Sequence, residues 1–359
     1  MTGALPIFDG HNDVLLNLAI PARGKGRSFF ERSDIGHIDL PRARAGGLAG
    51  GLFAIFVPPE SAMITGSAIP MEDVAFTPRG YSVKLGEAVS HTHALRVTRD
   101  VLGLLFRIQV ESQGQVRVVR SADELAGALA AGALAVVLHF EGAEAIDPAL
   151  TLLPDFYAEG LRSLGIVWSR PNAFGTGVPF RYPASPDTGP GLTEAGRALT
   201  RACNELGIVI DLAHINERGF WDVSGISAAP LVVTHAGVHA ICASTRNITD
   251  KQLDAIGETG GIVGIAYDVS MLRPDGDIGR DMPLSVLADH IAYVADRIGI
   301  AHVGLGSDFD GADMPETLAD ASMLPNLVAA LRARGFDAAA LRAIAYENWE
   351  RVLRATWRE

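Results

Sequence analysis

Eight short apolar runs, rich in Val, Ile, Leu and Gly, recur along this 359-residue chain, each followed by a polar loop and usually by a helical pattern. They are "IFDGH" (7–11), "GGLFAIFVP" (50–58), "LAVVLHFEG" (134–142), "LRSLGIVWS" (161–169), "GIVIDLAH" (207–214), "PLVVTHA" (230–236), "GGIVGIA" (260–266) and "HVGLGSDFDG" (302–311). Runs so nearly continuous in apolar residues suit strands buried on both faces, as in a parallel sheet. Strand alternating with helix gives parallel pairing with right-handed crossovers. Eight repeats predict an α/β fold of the closed (β/α)8 TIM-barrel type, about 250 residues in its basic form. The surplus is expected in insertions at 17–48 and 58–90, where Pro, Gly and charged residues concentrate. No linker divides the chain, so residues 1–359 read as one domain. Helix punctuation is legible too: "SADE" (121–124) and "TDKQ" (249–252) fit capping boxes, and "EAGRALTRACNEL" (194–206) stops at Gly207.

A formal net charge of −12 argues against a nucleic-acid groove or an anionic membrane surface as partner. The opening "MTGALPIFDG" has neither a basic nor a long apolar region, and no later window holds the 18 or so apolar residues of a membrane span. A cytoplasmic protein is expected. The two cysteines, Cys203 and Cys242, form no C-x-x-C pair and suggest neither a disulfide framework nor a thiolate metal site.

In such a barrel the C-terminal ends of the strands surround the active site. Polar residues fall there: His11 and Asp13 at strand 1, Glu141 at strand 3, His214 at strand 5, His235 at strand 6, and Asp308 and Asp310 at strand 8. In an extended strand, side chains two apart leave the same face, so His11 and Asp13 should point together. Imidazole nitrogen and carboxylate oxygen without thiolate suit divalent ions such as Zn, Mn, Fe or Co. Five ligands, His11, Asp13, Glu141, His214 and His235, one of them a carboxylate able to bridge, point to two divalent metal ions sharing Glu141.

"SHTH" (90–93) imitates the His-x-His of many metal-dependent amidohydrolases, but it opens a stretch with helical spacing. Residues two apart on a helix diverge by about 200°, so His91 and His93 are read as helix surface or packing. No G-x-S-x-G elbow, H-E-x-x-H, Walker A loop or complete G-x-G-x-x-G after a strand is present.

The stretches "DGHND" (9–13), "FEG" (140–142), "IDLAH" (210–214), "VTHAG" (233–237), "STRNITDKQL" (244–253) and "GLGSDFDG" (304–311) resemble, in order, those of the renal (membrane) dipeptidase family of binuclear zinc peptidases. The resemblance covers nearly the whole chain. It implies hydrolysis of small dipeptides by a metal-bridging hydroxide, with His11 and Asp13 on one zinc, His214 and His235 on the other, and Glu141 between them. It further implies that Arg246 engages the substrate, that Tyr267 lines the pocket, and that Asp308, with Glu141 in the catalytic set, handles the proton. The implied partner is a small peptide, and a homodimer is open because outer helices can hide a dimer face. The Gly-rich "GTGVPFRYPASPDTGPG" (175–191) reads as a lid or pocket wall, with Arg181 near substrate.

Trp168 stands where mammalian-type members carry a histidine that steadies the tetrahedral intermediate; indole donates one N–H but cannot become a cation. Ala213 and Ala236 replace common serines. These departures keep two other readings in view: a related amidohydrolase acting on an N-acyl amino acid, another amide or a lactone, and a non-catalytic metal-binding barrel.

Overall fold

The computed structural model describes residues 5–77 and 80–358, so residues 1–4 of the opening segment lie outside the described residues. Eight strands close the central ring, β1 (Ile7–Asn12), β2 (Leu48–Phe56), β3 (Leu134–Glu141), β4 (Leu161–Gly165), β5 (Val209–Asp211), β6 (Val232–Ala236), β7 (Ile262–Ile265) and β8 (Val303–Leu305), and a ninth short strand, Val116–Val118, pairs in parallel with β3 outside it. Each pairs in parallel with its successor, and β8 returns to β1, with Leu305 opposite Asp9. The ring is closed, and the predicted (β/α)8 barrel is the observed fold.

Two sets of side chains alternate along the strands. Phe8, Leu52, Ala135, Val137, Val209, Val232 and Ile262 cluster with Trp349, which enters from the helix Asn348–Thr356. The Trp349 indole N–H donates to Leu305 O at 3.0 Å, and its ring centre lies 6.1 Å from that of Phe8. Room for this plug comes from the absence of side chains at Gly10 and Gly304, where a Cβ would stand 2.4 Å from Trp349 Cζ2 and 2.5 Å from Trp349 Nε1. The alternate residues, among them Val136, Leu138, Phe140, Val233, Val263 and Ile265, pack outward in the larger core. Each fully buried side chain of this kind contributes roughly 1.5–3 kcal/mol.

Four expectations need adjusting. The runs at 207–214 and 302–311 leave the sheet early, at Asp211 and Leu305, so His214 (φ 64°) and Asp308 (φ 60°) sit in turns just beyond their strands. The insertion 58–90 is not all loop: Val74–Thr77 pairs antiparallel with Gly80–Val83, and Arg181–Tyr182 adds a third strand. Insertion 17–48 contains the helices Pro21–Gly24 and Leu40–Gly46. "TDKQ" forms a complete capping box, whereas in "SADE" Ser121 accepts from Glu124 N at 3.1 Å while the Glu124 carboxylate turns to Arg120 N at 2.7 Å. Gly207 ends its helix at φ 74°.

"SHTH" does open a helix, His91–Glu111, with Ser90 as its N-cap. His91 Nε2 lies 3.2 Å from Ala145 O and His93 Nε2 2.8 Å from Pro58 O, two unrelated carbonyls. Among the described residues no helix is long and apolar enough to cross a membrane.

Candidate active site

The site begins with two irregularities in the sheet. Phe8 faces the barrel interior, and strict alternation would then turn His11, three residues on, outward. Between Asp9↔Gly51 and Asn12↔Phe53, however, β1 spends three residues against two of β2. The same happens on β6: Val233↔Val263 is followed by Ala236↔Ile265. Such bulges re-aim a side chain and concentrate beside active sites. Here they bring His11 and His235 inward, their ring centres 3.9 Å apart. β3 needs no such device; it runs in unbroken register with β2 from Ala135 to Glu141, so His139 and Glu141 share the face of Val137.

Glu141 Oε1 is the common point. It lies 3.0 Å from His214 Nε2, 3.7 Å from His11 Nε2 and 3.8 Å from His235 Nε2. Asp13, which precedes the helix Val14–Ala19 rather than extending β1, places Oδ2 3.5 Å from His11 Nε2. The expected pincer of His11 and Asp13 therefore exists, but a bulge and a turn make it. Both His11 nitrogens and Asp13 Oδ1 are buried without a hydrogen-bond partner. The sets His11–Glu141–His235 and His11–Asp13–Asp308 each offer ligand atoms within 4.8 Å of one another.

The electrostatics fit a cation. Burial, then Asp13, holds the Glu141 carboxyl well above its ordinary range, and burial raises Asp308 to about 8. Burial would lower His11, but Glu141, Asp13 and Asp308 prevail and raise it to about 10. His214 and His235 are held well below their usual value by burial and by the positive charge of Arg246 and His11. Acids thus crowd one dry space with the imidazoles of His214 and His235, which are held neutral, and positive charge among the acids relieves the crowding. Unpartnered N and O donors of this kind are the ligands divalent ions take.

Above this cluster opens a cavity of about 690 Å³ whose wall includes Asp13, Glu141, His214, Arg246, Asp308 and Trp168. That volume suits a small ligand. Arg246 is buried, its Nη2 3.4 Å from His235 O and its Nε without a partner. Trp168 packs 5.8 Å from the His214 ring. Tyr267 is placed otherwise than expected: it is buried edge-on against Phe309, ring centres 5.5 Å apart, and is not part of the cavity wall. Arg181 is exposed, with Nε donating to Ser82 Oγ at 3.2 Å, and is likewise absent from the wall.

The model of the family described as "Membrane dipeptidase (Peptidase family M19)" matches residues 1–358. The chain belongs to this family. As a member of the M19 membrane dipeptidases it is a metallodipeptidase, a metal-dependent hydrolase of dipeptides. It is similar over 99% of its length to a metallo peptidase from Rhodobacter sphaeroides liganded with a phosphinate mimic of the dipeptide L-Ala-D-Ala, at 45% identity, TM-score 0.93 and 100% coverage of that chain. The structure of dipeptidase AC, also of family M19, matches at 45% identity and TM-score 0.91, covering 99% of each chain. An uncharacterized protein in the pqqA 5' region of Klebsiella pneumoniae is 43% identical over 258 residues, 72% of this chain and 95% of that protein.

Several residues of this dipeptidase site escaped the reading of strand ends. Thr234 Oγ1 donates to Asp211 Oδ2 at 2.7 Å and lies 2.9 Å from His235 Nδ1. Ser169 Oγ lies 2.8 Å from His214 Nδ1. His139, buried beneath His11, meets Ser163 Oγ at 2.9 Å and Asp211 Oδ2 at 3.6 Å. Its period-2 spacing from Glu141 was the available signal. His37 is missed as well: it exchanges two bonds with Asp310, already noted at strand 8, from its N at 2.7 Å and to its Nδ1 at 2.8 Å, and ties the 17–48 insertion to the rim.

Proposed function

We propose that this metallodipeptidase works with two divalent ions, zinc on the chemistry of the donors, in which His11 and Asp13 hold one, His214 and His235 the other, and Glu141 is shared. The observation that carries this reading is the convergence of three imidazole Nε2 atoms on Glu141 Oε1 within 3.0–3.8 Å. Ions bound there would supply the positive charge that acidifies a water and polarises a scissile carbonyl.

The chain's own residues do the rest. Asp308, beside His11 and Asp13, is suited to take a proton at its carboxylate and return it to the leaving amine, and cations held beside it would favour that charged form. Arg246, with a free Nε on the cavity wall, offers a bidentate donor to the carboxylate of a dipeptide. The dipeptide mimic held by the 45% identical Rhodobacter relative supports a small dipeptide as substrate. The family match across 1–358 supports one domain. Two buried, unpaired cysteines, Cys203 and Cys242, accord with a reducing compartment, and we place the enzyme in the cytoplasm. Trp168 on the wall favours, as a second reading, cleavage of an N-acyl amino acid by the same centre.

The test is turnover of a dipeptide panel by protein loaded with Zn, Mn or Co, alongside His214→Ala. Activity that needs the metal and is lost in a folded His214→Ala variant is expected. Metal-loaded protein inert towards every dipeptide overturns the reading, and faster cleavage of an acyl amino acid selects the second.

A further inference from the structure

A second cavity, of about 350 Å³, lies behind the wall of the first. Five residues line both: Ala68, Ile69, Val83, Trp168 and Phe180. Trp168 is the largest of them. One side of its indole is turned to the metal site, with its ring centre 5.8 Å from that of His214. On the other, a Cβ built at Gly86 would stand 3.8 Å from Trp168 Cζ3, and Gly86 lines only the second cavity. Phe56 and Phe180 brace the indole, at ring-centre distances of 4.9 and 5.7 Å.

We propose that Trp168 is a specificity-determining partition: its indole ends the side-chain subsite at the His214 end of the centre and limits it to small side chains, with the second cavity as unused depth behind it. The inference rests on the dipeptide reading above. A substrate side chain directed at this wall meets an indole packed against two phenyl rings, Phe56 and Phe180. Removing the indole joins the two spaces. The added space carries the carboxylates Glu60, Asp73 and Glu87 against Lys84, while Arg170 is already paired with Glu144 at 2.8 Å. Long cationic side chains should therefore gain more than anionic ones of similar length.

The experiment measures kcat/KM for two series, Xaa-Ala and Ala-Xaa, with Xaa as Ala, Leu, Phe, Lys or Glu, on metal-loaded enzyme. Trp168→Ala is expected to raise the ratio of bulky to small substrates by about 10-fold or more in one series, Lys above Glu, with Trp168→Phe between it and wild type. Gly86→Leu alone should leave the ratios unchanged, and in the Trp168→Ala background it should return them towards wild type by refilling the space. Should Trp168→Ala not fold, Trp168→Phe and Trp168→Leu carry the same comparison. Unchanged ratios in active variants, or a gain that Gly86→Leu does not reverse, overturn the partition alone. A wild-type enzyme that cleaves neither series overturns the dipeptide reading and the partition with it.

Discussion

His214 Nε2 and His235 Nε2 face each other across 3.1 Å. The outer nitrogen of each ring is already engaged, by Ser169 and by Thr234. Thr234 has a single hydroxyl proton, and Asp211 receives it, so the Thr234 oxygen accepts from His235 Nδ1–H. His235 Nε2 is then left with its lone pair towards His214. Two imidazole lone pairs at this distance repel unless a proton or a cation stands between them.

A chelator should abolish dipeptide hydrolysis and lower Tm, and adding back zinc should restore both. An ion present at 100 times its Kd stabilises the fold by about 2.7 kcal/mol. Thermal melts paired with elemental analysis check this. Equal Tm with and without bound metal contradicts it.

Thr234→Val keeps the shape of the side chain and removes the link from Asp211 to His235. Orienting partners of this kind typically set metal affinity by 10- to 100-fold, and a loss in that range is expected. Stability should fall by about 1–3 kcal/mol, because His235 Nδ1 loses its buried acceptor. Metal titration and urea unfolding measure the two effects separately; unaltered affinity would remove Thr234 from the site.

His290 lies outside the metal centre and bridges two rim loops, accepting from Val238 N and donating to Leu272 O, each at 2.9 Å. Burial lowers it from 6.5 to about 4, against the opposing pull of its hydrogen bond to Leu272 O and of Asp289. The unfolded chain therefore binds the extra proton first, so this contribution is complete above pH 6.5 and is lost as pH falls towards 4. Its size is roughly 3 kcal/mol. His290→Gln can make both bonds without titrating and should flatten the unfolding free energy between pH 7 and 4.5 relative to wild type. Parallel curves for the two proteins would exclude the assignment.

Trp349→Ala empties the plug of the barrel and strips Leu305 O of its donor. A loss of about 3–5 kcal/mol is expected from the cavity. The proposed metal ligands come from other elements, so metal stoichiometry in the folded fraction should hold. Denaturant unfolding and metal analysis of the soluble protein test both halves.

Much of the architecture was open to reading because it rests on local regularities. Near-continuous apolar runs with helices between them specify a parallel sheet, and their number specifies a ring. Boundaries were less legible: "DLAH" and "GSDFDG" look like strand continuations, yet the chain turns left-handed at His214 and Asp308. The strand formed by Arg181–Tyr182 gave little warning, since it exists only by pairing with a hairpin about a hundred residues away.

By itself the sequence determined the fold class and the segments that carry the candidate donors. Tertiary structure alone decided which way those donors point. His11 and His235 face the interior because β1 and β6 each place three residues against two of a neighbour, and such a count is a property of paired strands, not of either one. Tyr267 went into the core against Phe309 and Trp168 onto the wall between two cavities for the same kind of reason: residues distant in the chain fix the space around each ring.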